Sequence, residues 1–223
     1  MQKLIPALVV VCVVMFGYAP FMIVNAPYES TMGLVQKIFY FHVPAGISMF
    51  VSAFVCGIAS AMFLFRRNVN ADRVAVAAAE LTVLLGTVVL VTGPLWARKS
   101  WGVWWQWDAR LTSSLLLWMI FVAYLLVRRY GGPGSDKLSA AVALFGMANV
   151  PFVYVSVNVW RTLHPKTSVV PTLQPGMREV FWFCVAAFAV LYGVLLALRV
   201  RLATQQAEIE RLYLELDDQS ELS

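Results

Sequence analysis

Six apolar runs of roughly 20 residues each, at positions 4–24, 39–65, 74–96, 111–127, 138–159 and 180–198, leave this chain few ways to fold. In a hydrocarbon solvent every backbone N–H and C=O must be satisfied within the protein, so runs of this length become membrane-crossing helices. The composition agrees. Hydrophobic residues make up 61% of the 223 and charged ones 13%, with a mean hydropathy of +0.74. A soluble domain is nearer half apolar and a quarter charged. The fold class expected is an all-α integral membrane protein with six transmembrane helices. Residues 1–200 form the membrane domain and residues 201–223 a cytoplasmic, amphipathic C-terminal tail. The first run is too long for the apolar stretch of a signal peptide and lacks a clear cleavage site, so it reads as a retained span.

With six spans, alternation puts the start of span two, the loop between spans three and four, and the loop between spans five and six on one side. Counting Lys and Arg, including Lys3, the termini and the other two loops carry ten and this side seven. The positive-inside rule then places both termini in the cytoplasm. The basic residues are scattered between spans rather than gathered in a stripe, which argues against nucleic acid as a partner. Cys12, Cys56 and Cys184 stand singly in apolar runs, so neither a thiol-redox pair nor a covalent c-type haem motif is present. Glu80, in span three, is expected to snorkel or to pair with Arg73. Asn149 and Asn158 are expected to bond across helices.

The stretch Trp101-Gly-Val-Trp-Trp-Gln-Trp-Asp108 packs four tryptophans and a carboxylate into eight residues. Read as a helix, it carries Trp101, Trp104, Trp105 and Asp108 at i, i+3, i+4 and i+7 on one face, with Trp107 pointing elsewhere. An interfacial aromatic belt needs only one or two such rings per helix end. A row of indoles is better matched to a large, planar, apolar ligand.

The chain has two histidines, and both lie on the tryptophan side. His42 opens span two, with Pro44 accommodated in the first turn, and His164 follows span five. Two imidazoles flanking one aromatic platform suit the axial positions of a haem iron, while structural hydrogen bonding is the alternative. Arg98, Lys99, Arg110, Arg161, Lys166 and Arg178 exceed what an outer face ordinarily carries, and arginine pairs carboxylates such as haem propionates. They could equally pair with Glu29, Asp108, Glu179 or lipid phosphates. Asp108 is placed to orient an indole N–H or to pair with Arg110, with contact to haem a weaker option. No cluster completes a zinc or non-haem iron site, and no nucleophile–base pair or ATP-binding motif occurs.

The segment Trp101-Gly-Val-Trp-Trp-Gln-Trp-Asp-Ala-Arg-Leu-Thr112 resembles the tryptophan-rich signature of the haem-handling proteins, most closely the cytochrome c maturation protein C (CcmC) family. Tyr40-Phe-His-Val-Pro44 and Val159-Trp-Arg-Thr-Leu-His164 are similar to that family's two histidine-bearing segments. The resemblance spans about residues 30–200. It implies an extracytoplasmic tryptophan segment, residues 97–112, that binds haem b non-covalently and transiently at the periplasmic face of the bacterial inner membrane. By the match of motifs, His42 and His164 are the axial ligands. The further binding residues expected, from the aromatic platform and the excess of basic charge on this side, are Trp101, Trp104, Trp105, Trp107, Asp108, Arg98, Arg110 and Arg161. The implied role is delivery of haem to a periplasmic chaperone (CcmE) without catalysis. The implied partners are that chaperone, a small subunit (CcmD), two ABC-type subunits (CcmA and CcmB) and the lipid bilayer.

Two other classes compete. A b-type electron-transfer subunit of a membrane oxidoreductase usually buries its histidines inside the spans, whereas both lie at span ends here. A pore or transporter with an aromatic belt would purify colourless.

Overall fold

A computed structural model describes residues 4–30 and 32–221; Lys3 and residues 222–223 of the tail lie outside the described residues. Among the described residues, six helices are long and apolar enough to cross a membrane. They are α1 (Leu4–Asn25), α2 (Phe39–Arg66), α3 (Val69–Trp101), α4 (Ala109–Tyr130), α5 (Ser135–Val159) and α6 (Pro175–Glu221). A 3-10 turn, Leu34–Ile38, leads into α2. No strand occurs among the described residues, so the backbone is satisfied helix by helix as lipid requires.

The helices overrun their apolar runs. α3 extends five residues beyond its run at each end, and α6 continues without a break into the tail. Leu202, Ile209, Leu212 and Leu216 of that extension are exposed. The start of α3 is set by Asn68, whose side chain accepts from the Ala71 N–H at 3.1 Å. α1 ends where the Lys37 ammonium donates to the carbonyls of Ile23, Val24 and Ala26 at 2.7, 2.6 and 3.2 Å. Among the described residues, four helices carry a proline beyond their first turn, at positions 20, 44, 94 and 151. Pro44 is the sixth residue of α2, beyond the first turn expected for it, so it removes a ladder bond to the Tyr40 carbonyl.

α2 is the hub, packed most extensively on α3 and also on α5 and α6; α4 bridges α3 and α5, and α1 lies on α6. The α2–α3 interface is lined with buried small residues, among them Ala45, Ala53, Ala75, Ala78 and Ala79. Lipid offers no hydrophobic drive for association, and small side chains allow the close contact that replaces it. Gly57 shows how tight the fit is, since a Cβ there would stand 2.5 Å from the Met147 Cβ of α5.

At the end away from the histidines, α3 is clamped twice. Arg128 of α4 forms a bidentate pair with Asp72, and Arg199 of α6 pairs with Glu80. The second pair corrects the expectation for Glu80. Arg73 bonds Asn70 instead, at 2.9 Å. It lies seven residues from Glu80 on the same helix, about 10 Å along the axis. Asn149 does bond across helices, donating to the Ser113 carbonyl at 3.3 Å. The three cysteines are buried.

A second apolar cluster fills the histidine end. Ile23 and Ala26 pack with Phe39, Tyr40, Trp96, Val180 and Phe181. Phe39, Trp96 and Phe181 of this cluster also form part of the wall of the site.

Candidate functional site: a two-histidine cavity

A cavity of about 490 Å³ opens among α2, α3, α4, α5, α6 and the loop of residues 160–174. That volume lies within the range of small-molecule and cofactor sites. Its wall is chiefly apolar and aromatic, and His42, His164, Trp101, Trp105 and Arg110 all reach it. Alternation of the spans thus brings together the three segments singled out in the sequence.

The tryptophan stretch is not helical, contrary to expectation. Gly102 adopts a left-handed φ of 77° and ends α3 at Trp101. Residues 103–108 then run irregularly to Asp108, which is extended and begins α4. The indoles therefore share no helical face. Trp101 and Trp105 line the cavity, whereas Trp104 and Trp107 are 57% and 75% exposed and stand off its wall. The Trp105 and Trp107 rings meet edge to face at 5.7 Å. Arg98 bonds the Gly102 carbonyl and lies over the Trp104 ring at 6.0 Å, which pins the turn rather than facing the cavity.

Asp108 neither orients an indole nor pairs with Arg110. One of its oxygens accepts from the Leu111 N–H at 2.8 Å and caps α4. The other accepts from the Thr162 hydroxyl and, at 3.2 Å, from the Leu163 N–H. A single carboxylate therefore ties the tryptophan segment to the loop that carries His164. Arg110 donates to the Val153 carbonyl at 2.6 Å and lies over the Phe50 ring at 5.6 Å. Arg161 is exposed and lines a smaller adjoining pocket behind His164.

His42 is buried, 8% exposed, one turn into α2. Its Nδ1 is 2.8 Å from the Thr92 Oγ1, and its ring meets Trp96 edge to face at 5.9 Å. His164 is partly buried, and its Nδ1 is 2.8 Å from the Pro165 carbonyl oxygen. A carbonyl only accepts, so Nδ1 of His164 carries the proton and Nε2 keeps its lone pair. Trp96, Trp182 and Tyr154 also line the site, and no motif in the sequence marks them. The signal available for Trp96 was its place one turn beyond Thr92, on the helix facing His42.

The loop bearing His164 lies outside the spans. Burial pushes its imidazole down from the ordinary histidine range to about 4; Arg110 adds to the depression, while the Pro165 carbonyl and Asp108 oppose it. It is neutral at pH 7, the form that ligates metals. The unfolded chain takes up this proton near pH 6.5 and the folded chain only near 4. The resulting stability is therefore complete above about pH 6.5 and is lost as pH falls toward 4. His164→Gln cannot titrate. The melting temperature of ligand-free wild type, relative to that variant, is expected to fall between pH 7 and pH 4. A constant difference would show that the imidazole is not held neutral.

Fold and site together define a class: a six-span membrane protein with an apolar, two-histidine chamber at one end. Over residues 1–215 the chain matches the family described as Heme exporter protein C (CcmC), and it belongs to that family. It is 34% identical over 212 residues to Heme exporter protein C of Bradyrhizobium diazoefficiens, covering 94% of this chain and 80% of that one. It is 32% identical over 200 residues to Heme exporter protein C of Escherichia coli, covering 83% and 74%. It is also 30% identical over 179 residues to a putative cytochrome c biosynthesis ccmC-like mitochondrial protein of Marchantia polymorpha, covering 79% and 77%.

Proposed function

We propose that this chain binds haem b in the two-histidine cavity and hands it to a periplasmic haem chaperone (CcmE) for cytochrome c maturation. The observation that carries the reading is the pair of imidazoles on one apolar cavity, each with Nδ1 engaged and Nε2 left to ligate iron. The remaining wall fits the same cargo. The Trp105 Nε1 is buried without a hydrogen-bond partner. The Arg110 guanidinium is a cation at the wall whose bonds go to a backbone carbonyl and a ring. Both are donors suited to a carboxylate on a large apolar molecule, and the unpaired Trp105 N–H is costly unless such a partner arrives.

In this reading His42 and His164 would hold the haem iron, Trp101 and Trp105 would supply apolar wall to the porphyrin, and Arg110 would meet a propionate. Trp104 and Trp107 form the exposed rim on which the chaperone docks, and Arg98 and Arg161 support the two loops. The protein binds and releases without catalysis. Its further partners are a small subunit (CcmD) and the ABC-type subunits CcmA and CcmB, in the bacterial inner membrane with both termini cytoplasmic. The placement of His164 on a loop favours transfer over the electron-transfer alternative, which calls for a ligand buried between helices.

The test is a visible absorption spectrum of the purified protein from haem-replete cells, oxidised and reduced. A low-spin b-type spectrum is expected. Colourless protein would return the tryptophans to a membrane belt.

A further inference from the structure

We infer that Thr92 is the positioning residue that fixes the tautomer and orientation of His42, an inference that rests on the reading of the cavity as a haem site. Thr92 lies on α3, 50 residues from His42 in sequence. Its hydroxyl proton is already committed, because Oγ1 donates to the Val88 carbonyl at 2.7 Å. A hydroxyl has one proton to give, so toward Nδ1 of His42, at 2.8 Å, the Thr92 oxygen can only accept. Nδ1 therefore carries the imidazole proton, and Nε2 presents its lone pair. The relay runs from His42 N–H to Thr92 hydroxyl to Val88 carbonyl, and it ends on the backbone of α3.

Two neighbours complete the setting. Trp96, one turn further along α3, meets the imidazole edge to face at an interplanar angle of 80°. Its own Nε1–H donates to the Met32 Sδ at 3.2 Å, which fixes the indole. Beside Thr92, Gly93 leaves clearance for the ring: a Cβ there would stand 3.3 Å from the His42 Cε1, the carbon adjacent to Nε2. Threonine, glycine and tryptophan at 92, 93 and 96 thus orient the first histidine from a different helix. His164 needs no such device, since the adjacent Pro165 carbonyl performs the same task.

The acceptor does more than hold the ring. A hydrogen bond from Nδ1–H raises the basicity of Nε2, and loss of such an outer partner typically costs about 10–100-fold in metal affinity. In Thr92→Val the shape is retained but the Nδ1–H loses its acceptor, while Thr92→Ser keeps the hydroxyl. For full-length protein in detergent, nitrogen NMR of the ligand-free form is expected to show His42 protonated at Nδ1 in wild type and Thr92→Ser. Haemin titration is expected to show at least about tenfold weaker binding in Thr92→Val. A more positive midpoint potential should accompany it, because a less basic imidazole stabilises ferric iron less. Thr92→Ser should restore both.

Protonation of wild-type His42 at Nε2 would overturn the inference, without need of any variant. So would a Thr92→Val protein with wild-type affinity and potential. Wild type that binds no haem would instead overturn the haem reading, and the tautomer measurement would still decide the role of Thr92.

Discussion

His42→Ala and His164→Ala will each abolish the low-spin spectrum of bound haem, and the double variant will purify colourless. Losing an iron ligand outright costs more than losing a ligand's outer partner, so the fall in haem retained is expected to exceed about tenfold in each case. The two variants differ in what else they disturb. His42 is buried in the helical wall and touches Thr92 and Trp96, so its removal leaves a void in packed structure. His164 stands on a loop, where truncation opens onto the cavity. His42→Ala should therefore lower the melting temperature of ligand-free protein at pH 7 more than His164→Ala does. Added imidazole should restore low-spin character to both variants, since it can occupy the vacated axial position. Cytochrome c yield should fall in parallel. Unaltered spectra and yield in both single variants would remove the histidines from the site.

The second large effect is expected at Asp108, whose two oxygens have separate tasks. Asp108→Ala removes the cap of α4, worth about 0.5–2 kcal/mol. It also removes the bonds from Thr162 and Leu163, where hydrogen bonds to a charged group contribute about 1.5–3 kcal/mol. Asp108→Asn separates the two tasks. Asparagine caps a helix about as well as aspartate, but its amide cannot accept from both Thr162 and Leu163 on the side where it presents N–H. The melting temperature of Asp108→Asn should thus fall less than that of Asp108→Ala, while amide exchange across residues 160–174 speeds up and haem affinity drops. Asp108→Ala should lose on all three counts. Wild-type exchange in the asparagine variant would mean that this loop is held by something other than the carboxylate.

The number and order of the spans were legible because lipid permits so little else: runs of about 20 apolar residues must become helices. The convergence of His42, His164 and the tryptophan segment was legible too, since alternation of six spans allows only one arrangement of loops. The tryptophan segment carries two competing signals. Spacing of the aromatics suggested a helix, yet Gly102 and Asp108 are the residues that end one helix and cap the next. Stop and start signals outweigh periodicity here, because a left-handed glycine breaks the hydrogen-bond ladder whatever face the side chains would share.

What the sequence by itself determined is the membrane fold, the end of the bundle that carries the site, and the residue types available there. Only the tertiary structure decided how those residues act. Glu80 and Arg199 are 119 positions apart, and their pairing follows from the packing of α6 on α3. The tie from Asp108 to Leu163 spans 55 positions, and the Thr92 acceptor for His42 spans 50. Helical periodicity relates residues three or four apart, whereas these contacts depend on which helix faces which and at what height. That is set by the summed packing of all six spans, and no local pattern encodes it.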